Sequence, residues 1–119
     1  MKQDLLVRVA AWARAQSDVR GLALVGSYAR GEARADSDID LVILTENPDC
    51  HTRGVPTRNW GVMTERRIVI DGLDVELGFV TPDWAATEPI DAGTRRSAAD
   101  GLVPLSDPDG LVSTLLDAL

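Results

Sequence analysis

Two strand-length runs, residues 60–70 and 73–80, meet at Asp71-Gly72. Both turn positions tolerate positive φ, so the pair predicts a tight β-hairpin. Leu22-Ala23-Leu24-Val25 is a short continuous apolar run, as expected of a strand covered on both faces. Asp38 to Thr45 reads as a further strand, with Ile39, Leu41 and Ile43 on one face at period two. Helical signals surround these strands. Leu5, Leu6, Val9, Trp12 and Ala13 recur at three- and four-residue spacing and predict an amphipathic helix over 3–16, with Trp12 in the core. Arg20-Gly21 is expected to end that region. Tyr28-Ala29-Arg30 suits a short helix closed by Gly31, and Ala35-Asp36-Ser37 reads as a turn.

Further along, residues 46–59 read as a loop. Thr81-Pro82-Asp83 predicts a helix start, with Thr81 as N-cap and Pro82 at the first helical position. Residues 88–101 are ambiguous, although Gly101 could end a helix. Leu102 to Leu105 suit a short edge strand. Asp107-Pro108-Asp109 opens a last helix with an apolar stripe of Leu111, Val112, Leu115, Leu116 and Leu119. The order predicts an α+β fold: one domain over 1–119, with a mixed sheet of four to five strands flanked by helices.

The formal net charge of −7 argues against a broad nucleic-acid platform, because such a surface would repel phosphates. Acidic charge can instead gather at a metal site. No apolar run approaches the roughly 20 residues of a membrane span. Arg8 and Arg14 interrupt the N-terminal segment, which therefore lacks a signal-peptide apolar region. A cytoplasmic protein is expected, and a lone Cys50, with no internal disulfide partner, is consistent with that.

The segment that carries chemistry is Gly26-Ser27-Tyr28-Ala29-Arg30-Gly31, followed by Asp36-Ser37-Asp38-Ile39-Asp40-Leu41. A strand that ends in Gly-Ser and opens a helix presents backbone N–H groups and a helix-dipole end to an anion. Gly26 lets a phosphate approach the backbone, and Ser27 can add a hydroxyl donor. Alone, that pattern also fits a simple strand-to-helix turn. Asp38 and Asp40, at i and i+2 on a strand, leave one face together. Side by side they repel, and divalent cations relieve the repulsion while keeping open positions for phosphates. A solvated strand edge is the alternative for Asp-x-Asp alone. Asp74-Val75-Glu76-Leu77 offers a third carboxylate. Glu76 is preferred because apolar residues flank it, whereas Asp74 lies close to the turn and is expected to be solvated.

With these residues in hand, the chain resembles the DNA polymerase beta nucleotidyltransferase superfamily, and within it the minimal bacterial nucleotidyltransferases. The resemblance implies the nucleotidyltransferase fold and the use of a nucleoside triphosphate, ATP or another, with Mg²⁺ as two ions. It further implies that Gly26, Ser27, Arg30 and Ser37 bind nucleotide. Asp38, Asp40 and Glu76 are the implied metal-holding and catalytic residues. The implied reaction transfers a nucleoside monophosphate, with AMP from ATP the leading case, and releases pyrophosphate. The acceptor is left unidentified; a HEPN-type protein partner, as for minimal nucleotidyltransferase antitoxins of toxin–antitoxin systems, suits 119 residues with no room for an acceptor domain. A small-molecule acceptor and a catalytically inactive binding module are the alternatives.

Several residues stay open. Arg30 could touch phosphate or pair with Glu32 or Asp36. Arg66 and Arg67 alternate, so one is expected to face the site and the other solvent. Trp60 could stack on a base or simply end a strand. Cys50-His51 has no partner at metal-ligand spacing, so a zinc site is not expected. Neither Gly-x-x-x-x-Gly-Lys nor Gly-x-Gly-x-x-Gly is present.

Overall fold

The computed structural model describes residues 2–34 and 37–119, and of Lys2 the backbone only. Ala35 and Asp36, expected in a turn, lie outside the described residues. Helix α1 (Lys2–Ala15) leads into β1 (Val19–Val25), α2 (Gly26–Arg30), β2 (Ile39–Thr45), α3 (Asp49–Thr52) and β3 (Arg58–Trp60). After these come β4 (Met63–Ile70), β5 (Leu73–Val80), a 3-10 turn (Pro82–Ala85), α4 (Ala92–Ala98), β6 (Leu102–Ser106) and α5 (Leu111–Ala118). The six strands form one mixed sheet in the order β3-β4-β5-β2-β1-β6. Only β2 and β5 run parallel; every other neighbouring pair is antiparallel. Among the described residues no helix is long and apolar enough to cross a membrane.

Why β1 and β2 read as nearly continuous apolar runs is now plain: both faces of the sheet are covered. On one face Leu22, Leu24, Ile39, Leu41, Ile43, Val75 and Phe79 pack with Leu5 and Ala13 of α1. On the other, Ala23, Val25, Val42, Leu44 and Val80 pack with Trp84, Ala98, Val112 and Leu115. The Asp71-Gly72 hairpin is present, with φ of 52° and 78°, and Leu73 pairs with Ile70.

Several expectations are corrected. Strand β1 starts at Val19, three residues early, because Gly21 does not stop it. Gly21 is a packing residue there: a Cβ would lie 3.3 Å from Val112 Cγ2. The run 60–70 is two strands, since Gly61-Val62 turns the chain and pairs Trp60 with Met63. The 46–59 loop contains α3 and the first residues of β3. The helix at Pro82 is a single 3-10 turn, and the Thr81 hydroxyl donates to the Asp83 carboxylate rather than capping a backbone amide. In α5 only Val112 and Leu115 are fully buried, and Leu116 and Leu119 are exposed. Trp12 is not core; it is 38% exposed and meets the His51 ring edge-on.

Asp107 caps α5 by accepting from the Val112 and Ser113 amides, each at 2.9 Å. Asp91 caps α4 through the Gly93 and Thr94 amides, so a helix does occupy the ambiguous 88–101 stretch.

At the ends of β1 and β2 farthest from α2, Asp18 gathers three contacts. Its Oδ2 accepts from the Thr45 hydroxyl at 2.5 Å and lies 2.6 Å from His51 Nε2. His51 in turn stacks flat on Phe79. Burial alone would raise the Asp18 carboxyl, but the hydrogen bonds from Thr45 and His51 hold it below its ordinary value of 3.8. A carboxyl with a depressed folded-state pKa stabilises above its unfolded pKa, and that stabilisation is lost as pH falls through the folded value. Asp18→Asn is therefore expected to cost about 1–3 kcal/mol in urea melts at pH 7, with the difference shrinking below about pH 4. Equal stability at pH 7 would show that this contact network contributes nothing.

Candidate active site

The register of the sheet assembles the site. Asp40 on β2 pairs with Glu76 on the parallel strand β5, and Glu76 pairs with Arg67 on β4. Across the other edge of β2, Asp40 pairs with Val25, the last residue of β1. Four strands thus set Arg67, Glu76, Asp40 and Val25 in one row, with neighbouring strands about 4.8 Å apart. Asp38 immediately precedes β2 and joins the row from its end. Its Oδ2 lies 3.6 Å from Arg67 Nη2, which also donates to Glu76 Oε1. Glu76 interacts directly with both Asp40 and Asp38.

Gly26 turns the chain directly beside Asp40. Its φ is +77°, and a Cβ there would lie 2.5 Å from Asp40 Oδ2. The absence of a side chain therefore serves the carboxylate as well as any approaching phosphate. Ser27 follows in the first turn of α2, where amides lack intrahelical partners. The Gly31 amide closes α2 onto the Ser27 and Tyr28 carbonyls.

Burial, followed by the contacts with Glu76 and Asp38, raises Asp40 from 3.8 to about 7. For Glu76, burial pushes upward, but the contacts with Asp40 and the Arg67 guanidinium outweigh it, and the net direction is down. The two carboxyls titrate as a coupled pair, with Asp40 driven up and Glu76 driven down. A cleft of about 740 Å³ opens over this row. Its walls include Gly26, Asp40, Glu76 and Glu65, with Trp60 and Val62 at one side and Arg96 of α4 at another.

The other expected residues are placed as follows. Asp74 is exposed and pairs across to Val69, away from Asp40. Arg30 makes ion pairs with Glu32 at 2.9 Å and Asp100 at 3.0 Å, and it is not part of the cleft wall. The Ser37 hydroxyl accepts from the Arg34 amide at 2.8 Å. Arg67 faces the carboxylates. Arg66 does not face solvent: it lies on the opposite face of the sheet and donates to the His51 carbonyl at 3.2 Å. Trp60 is 56% exposed, with the Arg58 guanidinium 5.6 Å from its ring centroid.

Sequence reasoning missed Glu65 and Arg96. Glu65 shares the Arg67 face of β4 by period-two alternation, a signal available in the sequence; Arg96 depends on how α4 folds back. Among the described residues, Asp18, Cys50 and His51 are the group of three candidate metal-ligand residues whose donor atoms lie within 4.8 Å of one another. They lie at the opposite ends of β1 and β2. Their polar atoms are already engaged, with the Cys50 thiol donating to the Asn47 carbonyl at 3.1 Å.

A carboxyl whose folded-state pKa is raised stabilises fully below its unfolded pKa, and the effect is lost as pH rises through the folded value. In chelator, Asp40→Asn is therefore expected to melt above wild type at pH 8 by more than at pH 5. A gap that narrows at pH 8 would contradict the raised Asp40 pKa. Gly26→Ala is expected to destabilise by about 1–2 kcal/mol from the left-handed φ alone, read by the same melts, and a neutral effect would contradict this backbone.

The nucleotidyltransferase domain family model matches residues 9–91, more than half of the chain. That span contains α2, the Asp38–Asp40 segment and Glu76. No curated protein sequence gives a significant match. The fold, with its mixed sheet and flanking helices, agrees with the family match, and the chain belongs to the nucleotidyltransferase domain family.

Proposed function

We propose that the chain is a metal-dependent nucleotidyltransferase that moves a nucleoside monophosphate, AMP from ATP in the leading case, onto a protein acceptor. The observation that carries this reading is the in-register row of Glu76 and Asp40, with Asp38 at its end and Gly26 beside it. The donor set suits hard divalent ions, being three carboxylates with oxygen atoms only. The chain itself sets a cation, Arg67, against two of them. Asp38, Asp40 and Glu76 would hold Mg²⁺, and Mg²⁺ supplies Lewis-acid polarisation of the phosphate and a lowered pKa for the attacking group.

The chain's own residues do the rest. Gly26 leaves the backbone open, and the amides of the first α2 turn, with the Ser27 hydroxyl, bind phosphate oxygens. An acceptor hydroxyl attacks the α-phosphorus in line and forms the new P–O bond. The α–β bridging P–O bond breaks, and pyrophosphate leaves with the electron pair. In this reading Glu76 or Asp38 takes the acceptor's proton. Arg30 and Ser37 enter as nucleotide contacts only if they leave their present partners. Exposed apolar side chains at the cleft mouth, Trp60 and the 75%-exposed Val62, support an acceptor that brings its own apolar surface. A HEPN-type partner is the protein acceptor this reading favours.

The test is incubation with each α-labelled nucleoside triphosphate and Mg²⁺, with and without the product of any neighbouring gene. Label is expected to transfer to protein from one preferred triphosphate and to vanish in EDTA. Asp38→Asn and Asp40→Asn should abolish transfer while the protein stays folded. Glu76→Gln should remove most activity, whereas Asp74→Asn should change it by less than about tenfold, or 1.4 kcal/mol of barrier. Wild-type turnover in either Asp38→Asn or Asp40→Asn, or a larger loss in Asp74→Asn than in Glu76→Gln, would overturn the assignment.

A further inference from the structure

Arg67 stands where the proposed cation would act. It is anchored mid-strand on β4, directly opposite Glu76, so its stem cannot drift along the sheet. The guanidinium pairs with Glu76 and approaches Asp38 at 3.6 Å, and its side chain is still 55% exposed. Glu65, two residues earlier on the same face, adds to the negative charge acting on Asp40. Among the described residues, Arg67 is the one cation ion-paired to the Asp38–Glu76 cluster. Of the other arginines, Arg96 lines the cleft, and Arg30 is tied to Glu32 and Asp100.

Two properties follow from this placement. A guanidinium bound to Glu76 and Asp38 lowers the repulsion that would otherwise open the cluster, and so preserves its geometry without metal. The same contact uses carboxylate lone pairs that a divalent ion requires, so the two cations compete. An arginine released there keeps its backbone anchor beside the cleft, and its planar fork matches phosphate oxygens. We propose that Arg67 is an exchangeable counter-ion of the carboxylate cluster: it occupies Glu76 and Asp38 in the metal-free chain, yields them to a divalent cation, and then pairs with the triphosphate. This inference rests on the nucleotidyltransferase reading above and adds to it a residue that links metal loading to nucleotide capture.

The experiment measures Mn²⁺ affinity by the loss of the free-ion paramagnetic signal, without nucleotide, for wild type, Arg67→Met, Arg67→Gln, Arg67→Lys and Asp40→Asn. Arg67→Met and Arg67→Gln are expected to bind Mn²⁺ about tenfold more tightly, the size of a charge-assisted hydrogen bond removed from competition. Arg67→Lys should stay within about threefold of wild type, and Asp40→Asn should bind weakly. With Mn²⁺ saturating, an ATP analogue with an α,β-methylene bridge should bind the Met and Gln variants about tenfold more weakly, with recovery in Arg67→Lys. A merely structural Arg67 would not tighten metal binding in any variant. Unchanged or weaker Mn²⁺ binding in both neutral variants, with Asp40→Asn still impaired, overturns the counter-ion role alone. Tighter Mn²⁺ binding with unchanged analogue affinity overturns the phosphate role. Absence of Mn²⁺ binding by wild type overturns both this inference and the nucleotidyltransferase reading beneath it.

Discussion

The parallel pairing of β2 with β5 is the constraint on which the rest of the structure depends. Asp40 and Glu76 are far apart in the chain, and only this pairing brings them into register. Everything else at the site attaches to that pair through local connections. The β4–β5 hairpin carries Arg67 to Glu76, and the antiparallel β1–β2 pairing carries Val25 and Gly26 to Asp40. A one-residue slip of β5 would turn Glu76 into the α1 face and Leu77 into the cleft, because side chains alternate along a strand. The buried residues of the two strands oppose such a slip: Ile39, Leu41, Val75, Leu77 and Phe79 all belong to the α1-side core.

That core also offsets an electrostatic cost. Burial first, and then repulsion from the neighbouring carboxylates, raises Asp40 to about 7. Burial of each large apolar side chain contributes about 1.5–3 kcal/mol, and β1, β2 and β5 bury apolar residues on both faces. The sheet can therefore hold an unfavourable charge arrangement at one end while its interior supplies the stability. The opposite end behaves differently. There Asp18 is satisfied by Thr45 and His51, and its carboxyl is held low rather than high. One fold thus drives two aspartates in opposite directions: burial and neighbouring carboxylates raise Asp40, whereas hydrogen bonds from Thr45 and His51 outweigh burial at Asp18.

Much of this was legible in the sequence because it depends on local pattern. Asp71-Gly72 specifies its own turn, period two puts Ile39, Leu41 and Ile43 on one face, and the flanking Val75 and Leu77 place Glu76 toward the strand middle. What escaped depends on tertiary partners. Gly21 looks like a terminator until Val112 of α5 is seen packed against it. Trp12 fits the apolar stripe of α1, yet its ring lies against His51 at the rim. Asp18 joins Cys50 and His51 only through the ends of β1 and β2, a juxtaposition no short spacing encodes. Period two separates Arg66 from Arg67, but which of them meets the carboxylates depends on the β4–β5 register.

The central claim is that Asp38, Asp40 and Glu76 form a divalent-cation site that serves nucleotidyl transfer. A crystal grown with Mn²⁺ and an α,β-methylene nucleoside triphosphate, with anomalous scattering recorded for manganese, tests it most directly. The account predicts an anomalous peak bounded by these three carboxylates, with the triphosphate beside Gly26 and Ser27. Manganese found instead at Asp18, Cys50 and His51, or a triphosphate bound with no metal at the carboxylate row, would contradict it.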